Sequence, residues 1–267
     1  MGDLEFTAQW EMVCPDDYNH HDGELTDVTQ CYAVVEFDSN KVGIANPENH
    51  IEQYSEGATT YTLATLPELP SVTGYNFGGW YDNAAMTGNA VTTETALSGD
   101  KKLYAKWSPI TYKVVFDGNG ATRGSMADET FAYDESKALS ANAFEKTGWN
   151  FVGWCKGATA CNTTDANFYV NEAVVSNLTS SDNATITMYA KWTPITYTVL
   201  FDGNGATSGS MLPETFDYDE RKALLSNGFE KTDYDFVGWC KGVTVCNDTD
   251  VNFYTDEEEV ESSSTLA

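Results

Sequence analysis

The sequence has few basic residues. Lysine and arginine together number 14 against 41 aspartate and glutamate residues, which gives the 267-residue chain a formal net charge of −27. Nucleic acids and anionic membrane surfaces bind proteins through basic side chains that neutralise phosphate. This shortage therefore argues against a nucleic-acid partner, while the excess of carboxylates allows weak calcium binding.

Long hydrophobic runs are missing as well. No window of the sequence approaches the roughly 20 apolar residues that a membrane-spanning helix needs. We therefore expect no membrane insertion in this segment. The opening residues, MGDLEFTAQW, also lack the basic and apolar regions of a signal peptide.

Histidine is scarce, and the usual catalytic motifs are absent. The three histidines are His20, His21 and His50, and the sequence contains no G-x-S-x-G, H-E-x-x-H or P-loop motif. An enzyme would need a site assembled from scattered carboxylates between structural units. The sequence predicts no enzyme, no cofactor and no dedicated metal site.

Six cysteines form three candidate pairs along the chain. The spacing C-x5-C occurs twice, in CKGATAC and CKGVTVC, and zinc sites usually show a shorter spacing backed by a second pair or by histidines. Disulfides are therefore favoured over zinc ligands or free thiols, which implies an oxidising compartment and a longer exported protein. The predicted pairs are Cys14 with Cys31, Cys155 with Cys161, and Cys240 with Cys246.

An internal repeat with a period of 85 residues organises the chain, since Phe116, Trp154 and Cys161 recur as Phe201, Trp239 and Cys246. The first third is a divergent copy that lacks both cysteines of the C-x5-C pair. We predict the end of a preceding repeat with a cysteine-bearing insertion at 1–31, a first repeat at 32–109, a second at 110–194, and a third at 195–267 that stops before its last strand. Leu4–Trp10 (LEFTAQW) is similar to the closing strand of a repeat, and we expect the natural protein to continue on both sides.

The stretch FDGNGAT, present in the second and third repeats, is a candidate ligand loop. Its glycines are spaced G-x-G-x-x-x-G, one residue longer than the dinucleotide fingerprint, and the residue that would close an EF-hand loop in the third repeat is Pro213. Asn-Gly between two alternating runs is instead a strong hairpin signal. We predict a structural turn at Asn119, Gly120, Asn204 and Gly205.

Within each repeat, the residue pattern is mostly that of β-strands. Tyr112, Val114 and Phe116 alternate with other residues in the manner of a half-buried strand. The segments ESKALSANAF and ERKALLSNGF predict a short helix with Asp134 or Asp219 as its N-cap. We expect each repeat to pack around tryptophans, namely Trp80 with Trp107, Trp154 with Trp192, and Trp239.

The order of motifs resembles the internalin B-repeat, or Listeria–Bacteroides repeat, family. The motifs are the strand and turn at Tyr112 to Gly120, the segment Gly148 to Trp154 and the closing Tyr189 to Trp192, with a second set in the third repeat. The third repeat departs from the pattern at Asp233, where the family has glycine. The resemblance implies α+β modules of the small β-grasp (ubiquitin-like) type, about three in an elongated array, on secreted or surface-attached bacterial proteins.

We therefore expect a non-catalytic segment of an exported bacterial surface protein, acting as an adhesin stalk or spacer or as a protein-interaction module. Its expected partner is a surface protein or glycan of a host or neighbouring cell. The alternative is a carbohydrate- or peptide-binding module that uses aromatic side chains exposed beside the cysteine loops. Burial of the tryptophans would count against that alternative.

Overall fold

The computed structural model describes residues 32–53 and 58–261, and in these residues all regular secondary structure is β. The predicted strand at Leu4–Trp10 and the predicted pair of Cys14 and Cys31 lie outside the described residues. No helix of the described part is long and apolar enough to cross a membrane.

The first repeat forms a four-stranded sheet in the order β2-β1-β4-β3. β1 and β4 run parallel in its centre, and the other neighbours are antiparallel. Alternate residues of β1, namely Ala33, Val35 and Phe37, are buried against Trp80 and Leu103. The strands are β1 (Tyr32–Asp38), β2 (His50–Gln53), β3 (Tyr75–Tyr81) and β4 (Lys101–Pro109).

The second repeat forms a five-stranded sheet in the order β6-β5-β11-β8-β9, with a separate β10-β7 ladder. Its closing strand β11 lies between β5, to which it is parallel, and β8, to which it is antiparallel. The strands are β5 (Thr111–Asp117), β6 (Glu129–Ala132), β7 (Lys137–Ala138), β8 (Trp149–Lys156), β9 (Phe168–Tyr169), β10 (Val174–Val175) and β11 (Thr185–Pro194).

Up to residue 261, the third repeat forms four two-stranded ladders, β12-β14, β13-β16, β15-β19 and β17-β18. Phe216, Leu224 and Val260 form its core, with Phe201 and Trp239 packed against them. The strands are β12 (Thr196–Val199), β13 (Ser208–Gly209), β14 (Glu214–Asp217), β15 (Arg221–Ala223), β16 (Phe229–Glu230), β17 (Trp239–Cys240), β18 (Phe253–Tyr254) and β19 (Glu259–Glu261).

The chain divides into two compact units whose boundary does not follow the repeats. Unit 1 runs to Tyr112 and includes Phe131–Glu135 and Ser176–Ala184 of the second repeat. Unit 2 contains the remainder of the second repeat and the third repeat. The first junction between repeats therefore lies inside unit 1.

The prediction of a short helix after Asp134 or Asp219 is wrong. Both residues have a positive φ, 62° and 60° respectively, whereas an N-cap residue has an extended backbone with negative φ. The residues that follow enter β7 and β15, which pair with β10 and β19. Tertiary strand pairing thus overrides a local composition that favours helix, and the relation of the repeats to β-grasp modules stays a prediction.

Candidate functional site: the disulfide loops and the repeat junctions

Two disulfides close short loops at the ends of equivalent strands. Cys155, the penultimate residue of β8, is bonded to Cys161, and Cys240, at the end of β17, is bonded to Cys246. The Cα atoms are 5.7 Å apart in both bridges, within the usual range for a disulfide. None of the described cysteines is free.

The chain that follows each bridge folds back in the same way. The Lys156 N–H donates to the Asn167 carbonyl, and in the third repeat the Lys241 N–H donates to the Asn252 carbonyl, each over 2.8 Å. A carboxylate caps the intervening turn, since Asp165 accepts from the Asn162 N–H over 2.8 Å. The disulfide loop is therefore an ordered structure with exposed residues such as Thr159 at its tip.

The residue Asn119 connects the glycine-rich turn to the disulfide loop. It has φ 47°, is followed by Gly120 with φ 83°, and donates from its N–H to the Asp117 carboxylate over 2.7 Å. Its side-chain amide donates to the carbonyls of Thr159 and Ala190, each over 2.8 Å. The asparagine thus ties the disulfide loop and β11 to the turn.

The same anchor occurs in the other two repeats. Asn204 has φ 45°, Gly205 after it has φ 78°, and the Asn204 amide donates to the Thr244 carbonyl over 3.0 Å. In the first repeat Asn40 has φ 47° and donates to the Ala105 carbonyl over 3.2 Å. The sequence pattern predicts only a turn role for Asn119 and Asn204. The signal that could have found the anchor is FDSN in the first repeat, which keeps the asparagine although the following glycine is replaced.

A lysine of the closing strand also binds the disulfide loop. The Lys191 ammonium donates to the Cys161 carbonyl over 2.7 Å. In the first repeat, which lacks the disulfide, Lys106 donates instead to the Met86 carbonyl over 3.1 Å. The A-K-W motif therefore positions the loop as well as closing the sheet.

The described tryptophans lie inside the repeats rather than on a binding platform. Trp80 and Trp154 are buried, and none of the six described tryptophans is exposed. The indole N–H groups of Trp107 and Trp192 donate to the carbonyls of Ser39 and Gly118 over 2.8 and 2.9 Å. This placement counts against recognition of sugars by exposed tryptophans in the described residues.

The junction between the first two repeats is a contact between a glycine and a tyrosine. Ile110 of the linker donates to the Gly74 carbonyl over 2.9 Å, and the Tyr133 N–H donates to the Ile110 carbonyl over 2.9 Å. The Tyr133 ring covers Gly74 so closely that a Cβ built on this glycine would lie 2.2 Å from the ring. Only glycine fits this position, both because of the contact and because its φ is 78°.

The second junction, inside unit 2, repeats this geometry. The Ile195 N–H donates to the Gly148 carbonyl over 2.9 Å, and the Tyr218 N–H donates to the Ile195 carbonyl over 2.8 Å. A Cβ on Gly148 would again lie 2.2 Å from the tyrosine ring. We call these two contacts, Gly74–Ile110–Tyr133 and Gly148–Ile195–Tyr218, the glycine–tyrosine junctions.

Polar side chains reinforce the first junction. The Tyr75 hydroxyl donates to Asp134 over 2.8 Å, and the Asn76 amide donates to Asp182 over 3.0 Å. Hydrogen bonds from the Asn177 amide and the Tyr75 hydroxyl hold the pKa of Asp134 below its ordinary value. The Asp134 carboxylate in turn raises the pKa of the Tyr75 hydroxyl.

The carboxylates do not show the electrostatics of an acid–base pair. Among the described residues, the carboxyl groups with a clearly changed pKa all have a pKa below the ordinary value. Hydrogen bonds to the carboxylate anion lower the pKa by more than burial raises it. These residues are Asp38, Glu129, Asp134 and Asp182. A general acid needs a raised pKa instead. In the described part of the chain, no group of three or more acidic, histidine or cysteine side chains could hold a metal ion.

The repeated sheets, turns and junctions define a tandem-repeat protein. The Listeria-Bacteroides repeat domain matches the sequence three times, over residues 34–106, 112–191 and 197–267. The chain therefore belongs to the Listeria-Bacteroides repeat family. The resemblance carried by the turn, G-W and A-K-W motifs is thereby confirmed.

Two relatives come from the bacterium Evansella cellulosilytica. A protein named "Putative membrane protein" is 29% identical over 218 residues, which is 80% of this chain and 30% of the relative. A "Putative Gly-rich membrane protein" is 31% identical over 178 residues, 66% of this chain and 19% of the relative. The chain thus spans less than a third of the length of either relative, and no solved structure matches it.

Proposed function

We propose that the chain is a non-catalytic spacer segment of a bacterial cell-surface protein, in which the repeats act as a stalk. The observation that carries this proposal is the glycine–tyrosine junction, which occurs twice with the same hydrogen bonds. A ring packed on a glycine, flanked by two backbone hydrogen bonds, restricts the linker between repeats. A restricted linker is what a spacer needs, whereas a flexible tether would use glycine- and serine-rich linkers.

The stiffness of the first junction can be measured directly. Spin labels attached by non-cysteine chemistry at the exposed Glu94 and Ser180, both in unit 1, report the distance across the junction. We expect a narrow distance distribution in the wild-type chain and a broad one in Tyr133→Ala. Tyr104→Ala, a matched loss of a tyrosine on β4, is the control and leaves the distribution narrow. A wild-type distribution as broad as that of Tyr133→Ala would contradict the spacer proposal.

The surface location is supported by two features. The described cysteines are all in disulfides, which persist in oxidising compartments outside the cytosol, and the two relatives carry names that place them with membrane proteins. Alkylation of the denatured chain isolated from its producing cells, followed by intact mass, tests this. We expect no alkyl group without reductant and six after reduction, because we predict that all six cysteines are paired. Six groups without reductant would contradict export.

The disulfide loops are the surface that we propose for recognition of a protein or glycan on another cell. Thr159 lies exposed at the tip of a loop that a disulfide, Asn119 and Lys191 hold in place. Loops held by a rigid scaffold present side chains without a large ordering cost. Excess of the peptide CKGATAC in its oxidised form should compete with the chain for a binding cell, and a scrambled peptide should not.

A further inference from the structure

The anchor asparagines of the second and third repeats stand in a chemically reactive context. Asn119 is followed by Gly120 and Asn204 by Gly205, and both glycines are exposed. In an Asn-Gly pair, the backbone nitrogen of the glycine can attack the Cγ carbon of the asparagine, because glycine has no side chain that hinders the approach. The anchor of the first repeat, Asn40, is followed by a lysine and therefore lacks this context.

This reaction converts the amide of the asparagine into an acid. The glycine N–H loses its proton, a bond forms between that nitrogen and Cγ, and the bond between Cγ and Nδ2 breaks, so that the amide nitrogen leaves as ammonia. Water then adds to the cyclic succinimide and opens it at either carbonyl, which gives aspartate or isoaspartate. Neither product has a side-chain N–H group to donate.

A lysine lies beside each of these two pairs. The Lys231 ammonium donates to the Asn204 carbonyl over 3.1 Å, and Lys146 Nζ would lie 3.5 Å from a Cβ built on Gly120. When the glycine nitrogen loses its proton, the carbonyl oxygen of the asparagine shares the negative charge, and a nearby ammonium group stabilises this charge. The first repeat has Val72 at the equivalent position, two residues before its junction glycine.

The disulfide loop opposes the reaction at Asn119. Thr159 lies between the two bonded cysteines of the second repeat. The Asn119 amide donates to the carbonyls of Thr159 and Ala190, each over 2.8 Å. Attack turns the planar Cγ tetrahedral and moves the amide nitrogen away from both acceptors, and hydrogen bonds that weaken on the way to the transition state raise the barrier. The two bonds together slow the reaction by a factor of about ten or more.

We propose that Asn119–Gly120 is a modification site whose conversion to aspartate or isoaspartate is controlled by the disulfide loop. The closed loop preserves the asparagine. Reduction of the Cys155–Cys161 bridge lets the Thr159 carbonyl move away, so that Asn119 loses one acceptor and converts faster. A carboxylate at position 119 cannot donate to the two carbonyls, and conversion therefore makes the opening of the loop permanent.

Peptide mapping of the full chain by mass spectrometry tests this control. The chain is incubated at mildly alkaline pH with and without a phosphine reductant, and the conversion of each asparagine is followed by its mass increase and by labelling with an isoaspartyl methyltransferase. We expect Asn119 to convert at least about threefold faster in the reduced chain, because one of its two hydrogen bonds is lost. Asn40 should stay unconverted in both samples.

The third repeat supplies a matched control in the pair Asn227–Gly228. The Asn227 amide donates to the Phe229 carbonyl over 3.0 Å, only two residues away, so reduction should leave its rate of conversion unchanged. An Asn119 rate that does not respond to the reductant would overturn the proposal. The same acceleration at Asn227 as at Asn119 would overturn it too, because the disulfide loop would then have no specific effect.

The variant Asn119→Asp reproduces the product and tests its effect on the loop. We expect the backbone amides of residues 156–163 to exchange hydrogen at least about threefold faster than in the wild-type chain, because the loop has lost its anchor. Asn227→Asp makes the same change of charge and should leave the exchange of these residues unchanged. Wild-type exchange in Asn119→Asp, or equal acceleration in both variants, would show that conversion does not open the loop.

Discussion

At the scale of single residues, the asparagine of the turn does more than form the turn. A positive φ explains why asparagine or glycine stands at position 119, but it does not explain why the first repeat retains Asn40 without the glycine. The side-chain amide explains why asparagine stands there, because the two N–H donors of the Asn119 amide bind the disulfide loop and the closing strand to the turn. The sequence pattern FDSN signals that the asparagine has a second role, but it does not identify hydrogen-bond partners 40 and 71 residues away.

Replacement of Asn119 by glycine separates the two roles. Asn119→Gly keeps the left-handed backbone but removes both amide donors, so we expect the urea-induced unfolding of the second repeat to require about 1–3 kcal/mol less free energy. The control is Asn183→Gly, at an exposed residue with φ 56° whose side chain has no hydrogen bond to another described residue. Equal effects of the two substitutions on the unfolding midpoint would show that the amide of Asn119 contributes nothing.

A pH dependence follows from Asp134. Hydrogen bonds from the Asn177 amide and the Tyr75 hydroxyl lower the pKa of Asp134 in the folded chain. The Asp134 carboxylate therefore stabilises the folded chain fully at a pH above its pKa in the unfolded chain. This stabilisation is lost as the pH falls through the pKa of Asp134 in the folded chain. We expect Asp134→Asn to destabilise the first junction near neutral pH, and the difference from wild type to shrink between about pH 6 and about pH 3.

Paired urea titrations of wild type and Asp134→Asn at each pH give this difference. The comparison cancels the general effect of neutralising a chain of net charge −27, which acts on both proteins alike. A difference that stays constant or grows as the pH is lowered would contradict the role of the Asp134 carboxylate.

At the scale of elements, the junctions explain a glycine in the G-x-x-F-x-G-W motif. Gly74 and Gly148 each begin this motif, and each lies under a tyrosine of the following repeat. In the third repeat the residue is Asp233, which keeps the positive φ at 63°. A side chain at this position cannot be covered by a tyrosine ring in the same way.

Gly148→Ala tests the second junction against a matched control. Gly157 has a similar φ of 70°, but a Cβ there meets nothing within 4 Å, so Gly157→Ala should cost only the backbone strain of about 1 kcal/mol. Gly148→Ala should cost about 1–3 kcal/mol more, because its Cβ would meet the Tyr218 ring.

The clash can be isolated by removing the ring. In a Tyr218→Ala background, Gly148→Ala should cost no more than Gly157→Ala does, as a double-mutant cycle on the free energy of unfolding would measure. If Gly148→Ala is as costly with alanine at position 218 as with tyrosine, the glycine–tyrosine contact does not stabilise the junction.

The elements differ in how far the sequence could predict them. The period of 85 residues and the alternation in β5 follow from the residues themselves, and the structure contains the strands. The prediction of a short helix was wrong. Ala, Leu and Lys around position 138 favour a helix locally, but β7 pairs with β10 some 36 residues away, and this pairing determines the structure. The junctions were not predicted. The segments between repeats, SPIT at 108–111 and TPIT at 193–196, indicate short linkers but not which tyrosine packs on which glycine.

At the scale of the whole molecule, the three repeats share the turn and G-W motifs but fix the loop after the G-W strand in different ways. Repeats two and three use a disulfide, and the first uses Met86, which Asn40 and Lys106 contact. A covalent closure of so short a loop contributes about 2 kcal/mol on the chain-entropy model. Such closures suit small modules that have limited cores.

The disulfides and the junctions together support the central proposal, that these repeats stand on the outside of a bacterial cell as a stiff segment. Labelling of intact producing cells with a membrane-impermeant, amine-reactive biotin tests it most directly, since exposed lysines such as Lys231 are available for reaction. We predict that the chain is labelled in intact cells while a cytosolic control protein is not. Labelling of the chain only after lysis, together with the cytosolic control, would contradict the claim.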